Sequence, residues 1–128
     1  MKEATGEYVA FIDSDDYIEP DMMKELKRMA EESGADLVTS GHIVEYVQSA
    51  GIQGELKHDA FSEGVYGNNE KQFLYKNMIC YETYSNMGIL SVLWSKLFRR
   101  SLLEQNAYRI SEKIKIAEYE NPTDVVWD

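Results

Sequence analysis

The chain has 128 residues, 44% of them hydrophobic, and a formal net charge of −10. That length suits one domain and that apolar content argues against disorder, while the carboxylate excess argues against nucleic acid or anionic membrane as partners, since both require a cationic face. The charge fits a protein that binds cations, or one with a solvated acidic surface.

A short apolar run at residues 8–12 follows Gly6 and predicts a strand buried on both faces, as in a parallel sheet. It stops at Asp13-Ser14-Asp15-Asp16, a polar cluster with turn character. Pro20 suits the first position of a helix, because its missing N–H costs nothing there. Met22, Leu26, Met29 and Ala30 then recur at helical spacing as one apolar stripe, and Gly34 is placed to stop the helix. Residues 35–40 predict a second strand, continuing through 42–47 with Gly41 as a bulge. Strand, acidic turn, helix and strand make one βαβ unit and favour an α/β fold.

Residues 49–67 are polar and Gly-rich and predict a loop, with a short hairpin around 53–58. Asn69 is placed to cap a helix running to about Ile79, with Phe73, Leu74 and Met78 on one side. Residues 82–88 look irregular. Residues 91–105 predict an amphipathic helix that buries Leu93, Trp94, Leu97, Phe98 and Leu102. Beyond residue 108 the pattern is weak; Pro122 interrupts it, and Thr123-Asp124 can open a further helix. Cys80 is the single cysteine, so no internal disulfide forms; this suits a reducing cytosol, and its place after an apolar helix predicts a buried, inert thiol. No apolar run approaches the ~20 residues needed to cross a bilayer, and the opening residues lack a secretory leader.

Carboxylates at the C-terminal end of a parallel strand lie where α/β folds bind ligands. Side chains alternate along an extended chain, so Asp13 and Asp15 can point the same way and offer hard oxygen ligands to Mg²⁺ or Mn²⁺. The bland alternative is a polar turn that caps the helix. A calcium loop of the EF-hand type fails, because Tyr17, Ile18 and Lys24 stand at its positions 5, 6 and 12. A D-x-D phosphatase of the haloacid dehalogenase type fits poorly, because Asp16-Tyr17 replaces its usual Gly-Thr or Gly-Val.

A fourth reading rests on longer motifs. ATGEYVAFIDSDD at residues 4–16 resembles the A-x-G-E-Y-(I/V)-x-F-(I/L)-D-(S/A)-D-D signature of glycosyltransferase family 2. YIEPDM at 17–22 is similar to that family's step into the next helix, and VLWSKLFRRSLL at 92–103 resembles its W-x-K-L-(F/Y)-R-(R/K) segment. The resemblance implies a partial GT-A fold, a mixed sheet flanked by helices. It implies inverting transfer of a sugar from a nucleotide-diphosphate donor, UDP-linked in the first instance, to a glycan or lipid-linked acceptor in bacterial surface polysaccharide synthesis. By position, Asp15 is the expected ligand of Mg²⁺ or Mn²⁺, Asp13 lies near the metal or the donor ribose, and Asp16 has a secondary or capping role. The family takes its general base from an E-D-x-x-(F/W) segment. TDVVW at 123–127 fits it with Thr in place of Glu, which makes Asp124 the candidate base; Glu118 in AEY is the alternative.

The family's opening strand and P-x-Y-N segment, which hold the nucleotide base, have no counterpart before Lys2. The expectation is therefore a single partial domain over residues 1–128, inactive alone, cytoplasmic, and peripheral at the inner membrane face in the full-length protein. A sheet edge left open would favour self-association. The rival expectation is a non-catalytic interaction module of transferase ancestry. His42 and His58 lack zinc spacing and read as structural or surface residues. Trp94 and Trp127 are the aromatic residues placed to stack on sugars, with core packing the stronger reading for Trp94. Lys96 and Arg99 suit phosphates or a solvated helix face equally.

Overall fold

The computed structural model describes residues 3–48, 51–57, 59–82 and 87–113. In chain order these form β1 (Tyr8–Ala10), α1 (Met22–Ser33), β2 (Leu37–Thr39), β3 (His42–Gln48), β4 (Gly51–Lys57), α2 (Lys71–Asn77), β5 (Lys96–Arg99) and α3 (Arg100–Lys113). The class is α/β, as expected.

β5 is the middle strand of the main sheet, whose order is β1-β5-β2. It runs antiparallel to both neighbours, with Leu97 opposite Ala10 on one side and Val38 on the other. β1 and β2 therefore run in the same direction, as the βαβ reading requires, but β5 lies between them. The expected mixed sheet is thus antiparallel in both of its ladders. β1 is also half-buried, where burial on both faces was expected, because it lies at the outside of this three-stranded arrangement.

The largest departure from the sequence reading is at residues 91–105. Only the second half of that segment is helical. Ser95, Lys96, Leu97 and Phe98 are buried in succession, which a one-sided helix does not allow but a strand covered on both faces does. The apolar spacing of so short a run fits both states. The helix begins at Arg100, and it is Leu103 that becomes buried while Leu102 is half-buried.

α1 covers one face of the sheet. Leu26 and Ala30, one turn apart, pack on Val38 and Leu97, with Ala10 and Met22 beside them. Met29, assigned to this stripe by spacing, is 48% exposed. Gly34 ends the helix as expected: its φ of 70° is left-handed, and its N–H donates to the Ala30 carbonyl at 2.9 Å. Pro20 precedes the first turn rather than opening it, and Asp21 stands at the cap position without a side-chain bond.

β3 does not continue β2. It turns away and pairs with β4 in a separate hairpin, from His42 opposite Lys57 to Gln48 opposite Gly51. This hairpin replaces the shorter one expected around 53–58. Residues 59–82 form a small aromatic unit, in which the Phe61 ring lies 5.9, 5.3 and 5.2 Å from Tyr66, Phe73 and Tyr81. Gly88 closes the unit. A Cβ there would come within 2.1 Å of the Asn77 carbonyl and 2.6 Å of Phe61, so no other residue fits. Glu70, not Asn69, stands at the N-cap position of α2, without a side-chain cap bond; its carboxylate instead accepts from the Gly67 N–H of the preceding turn at 2.8 Å. Cys80 is exposed rather than buried.

This packing separates two apolar residues that the sequence ranks alike. Leu97→Ala should cost about 2–5 kcal/mol, since it opens a cavity under α1. Met29→Ala should stay within about 0.5 kcal/mol. Urea denaturation of the two variants checks both values.

Candidate functional site

Because β5 runs against β1 and β2, three chain segments meet at one end of the sheet. β1 leaves there into the acidic turn, β2 leaves into Ser40 and His42, and residues 90–95 enter β5. The acidic turn is closed by the Asp16 N–H, which donates to the Asp13 carbonyl at 3.2 Å. Asp13 is half-buried, while Asp15 and Asp16 are exposed. Both candidate cation ligands thus sit on one turn at the C-terminal end of β1, as expected from sequence. Among the described residues, no group of three or more His, Cys, Asp or Glu is arranged to hold a metal ion. Two carboxylate ligands suit a hard cation whose remaining positions go to water and phosphate oxygens.

His42 and Trp94 form the neighbouring wall. Their rings lie edge to face, with centroids 4.4 Å apart. The imidazole feels four charges: Lys96 and Lys57 disfavour its protonation, whereas Asp16 and Asp59 favour it. Burial is the strongest influence and, with Lys96 next, pushes the His42 pKa below the usual imidazole range. Its Nδ1 is buried and makes no hydrogen bond among the described residues, as is also true of Ser95 Oγ.

Behind this wall is a polar knot that the sequence did not announce. Asp59 accepts a hydrogen bond from the Thr39 hydroxyl at 2.6 Å and another from the Leu90 N–H at 2.7 Å. Lys96 is 5% exposed, and its ammonium donates to the Leu90 and Val92 carbonyls, each at 2.5 Å. Burial pushes the Lys96 pKa down, and Asp59 partly offsets that. Of the two readings for Lys96, phosphate contact and a solvated helix face, the second is overturned: Lys96 is a buried strand residue. A lone Asp in a polar loop carries no sequence signal, and only the fold gives Asp59 its partners.

Arg99 lies at the other end of β5, away from the acidic turn. Its guanidinium bridges Asp36 at 2.8 Å and Glu7 at 2.9 Å, and stacks over the Tyr8 ring at 5.1 Å. It ties the outer strands together rather than facing a ligand at the mouth. Asp124, Glu118, Trp127 and His58 fall outside the described residues.

Comparison with known proteins gives a consistent result. The family model described as Glycosyl transferase family 2 matches residues 1–104. EpsH of Bacillus subtilis, named as a glycosyltransferase, is 31% identical over 111 residues, covering 87% of this chain and 28% of EpsH. Glycosyltransferase GlyA of Streptococcus pneumoniae is 28% identical over 113 residues, covering 88% of this chain and 16% of GlyA. The poly(ribitol-phosphate) beta-N-acetylglucosaminyltransferase TarS of Staphylococcus aureus is 29% identical over 119 residues, covering 92% of this chain and 17% of TarS. The chain thus spans less than a third of the length of each of these relatives. No solved structure matches.

The depressed His42 pKa has a stability consequence with a definite sign. Folded His42 titrates below the unfolded value of about 6.5, so between the two the unfolded chain binds more protons. Its contribution is complete above about pH 6.5 and is lost as the pH falls from there toward the folded pKa. The urea midpoint should therefore drop on going from pH 7.5 to pH 5.5, and drop less in His42→Gln; equal slopes would show that His42 is not held neutral.

Proposed function

The chain belongs to glycosyltransferase family 2, and we propose that it carries the cation-binding turn and the acceptor-facing wall of a sugar-transfer centre with a GT-A fold. The reaction is transfer of a sugar, with inversion, from a nucleotide-diphosphate donor to a hydroxyl of a glycan or lipid-linked acceptor. The observation that carries this reading is the place of the acidic turn. Asp13 and Asp15 leave the C-terminal end of β1 beside the segments that leave β2 and enter β5. That edge is where α/β sheets bind their ligands.

Asp13 and Asp15 would hold Mg²⁺ or Mn²⁺. When bound, such a cation neutralises charge on the departing nucleoside diphosphate. UDP is the nucleotide proposed. A general base must take the proton of the attacking acceptor hydroxyl. Asp124 is proposed for that role, with Glu118 as the alternative. Trp94 and His42, packed edge to face, would form the acceptor-facing wall beside the turn. Surface polysaccharide synthesis at the cytoplasmic side of the membrane is the proposed setting; the relative TarS, by its name, acts on poly(ribitol-phosphate). Among the described residues no helix is long and apolar enough to cross a membrane.

One feature favours a second reading, that of a non-catalytic interaction module. Ile43, Ile52 and Leu56 are all exposed on the hairpin, and Ile43 and Leu56 are direct cross-strand partners. If association is this surface's role, sedimentation velocity should show a concentration-dependent dimer that Ile43→Lys abolishes. A monomer at all concentrations would remove that reading.

Calorimetric titration of UDP with and without Mn²⁺ tests the enzyme reading. Binding should require Mn²⁺ and weaken at least tenfold in Asp15→Asn, since even outer partners of metal ligands are worth about 10–100-fold. Binding that ignores both Mn²⁺ and the substitution would overturn it.

A further inference from the structure

Lys96 and Asp59 are charged groups close to the site that the proposed chemistry does not use. We propose that they are positioning residues: they pin the peptide at Leu90 from both sides and so hold residues 90–95, with Trp94 among them, as a fixed wall beside the acidic turn.

The hydrogen bonds carry this inference. The Leu90 N–H is held by Asp59 at 2.7 Å, while the Leu90 and Val92 carbonyls are held by the Lys96 ammonium. The Leu93 carbonyl accepts from the Lys96 backbone N–H at 3.2 Å. The Ser95 carbonyl accepts from the Ser40 N–H at 2.9 Å and from its hydroxyl at 3.2 Å. The circuit then closes on itself. Lys96 pairs with Thr39 across the sheet, and the Thr39 hydroxyl donates to Asp59 at 2.6 Å. A six-residue stretch outside any helix or strand would otherwise be among the first parts of the fold to open. Here it is tied at four of its six residues.

The chemistry of the knot points the same way. A cation that is 5% exposed is a poor stabilising device, because removing it from water offsets most of what its bonds return. What Lys96 adds is direction, since an ammonium carries several donors and can reach two carbonyls of one segment together. Asp59 sets the near end of the segment and supplies the opposing charge. The segment they fix presents Trp94 to His42 at 4.4 Å.

The inference rests on reading this end of the sheet as the site, but its test reads Trp94 directly. The chain has two tryptophans, so Trp127→Phe leaves Trp94 as the sole reporter. In that background, Lys96→Met and Asp59→Asn are compared with the parent by urea midpoint, emission maximum and acrylamide quenching. Lys27→Met, at an exposed lysine of α1 away from Trp94, serves as the control. The expected result is that Lys96→Met lowers the midpoint, because the Leu90 and Val92 carbonyls lose their donor, and that Trp94 emission shifts to the red and quenching rises with it. Asp59→Asn should move Trp94 in the same direction, and the control should not move it. A folded Asp59→Asn or Lys96→Met protein with unchanged Trp94 emission and quenching overturns the proposal, as does a fall in midpoint without a change at Trp94. If Lys96→Met does not fold, Asp59→Asn decides alone. Failure of Mn²⁺-dependent UDP binding in the parent would sink the enzyme reading and leave this result standing.

Discussion

Leu97 faces Ala10 on one side and Val38 on the other, and packs against Leu26 and Ala30 of α1. That one residue stands where the sheet, its helix and its middle strand meet. The constraint behind it is that β5 must fit between two strands that the chain has already laid down in the same direction. A strand in that slot has neighbours on both edges and cover on both faces. Four successive residues, from Ser95 to Phe98, are therefore buried, and the segments around them have little choice of path.

The site follows from that constraint. With β5 reversed between β1 and β2, the end where two strands stop is also the end where the third begins. The acidic turn, the start of the hairpin and the 90–95 segment are brought together although they are distant in sequence. The circuit joins residues far apart in the chain: Asp59 lies 20 positions from Thr39 and Leu90 lies 31 from Asp59. Such long-range bonds fix where the loops go, which strand pairing three residues long cannot do alone. Charge is divided along the same strand. Arg99, at its far end, serves Glu7 and Asp36 near the surface, where each exposed pair is worth about 1 kcal/mol or less. Lys96, at its near end, is buried and spends its donors on backbone carbonyls.

Much was legible in the residues themselves. The strand at residues 8–10, the acidic turn, α1 with its Leu26 and Ala30 face and the Gly34 stop all follow from local chemistry: apolar runs, turn-forming carboxylates, a 3.6-residue period and a left-handed glycine. Family membership was also legible, because it rests on which residues stand in which order. The match over residues 1–104 agrees with the motifs at 4–16 and 92–103. The 91–105 segment is ambiguous in sequence, because Leu93, Trp94, Leu97 and Phe98 satisfy a helical stripe as well as a buried strand.

What only the tertiary structure decided is which state wins where local preference is even, and which charges end up together. A helix at residues 95–98 would satisfy its own hydrogen bonds but leave β1 and β2 with open inner edges; a strand there satisfies both. That choice then buries Lys96, which by sequence suits a phosphate contact or a solvated face equally, and gives Asp59 a circuit that no spacing rule encodes. The sequence by itself determined the family, the acidic turn and the first helix, because those depend on neighbours along the chain. The sheet order, the hairpin and the Lys96–Asp59 knot depend on contacts between distant residues, and those are set only when the strands meet.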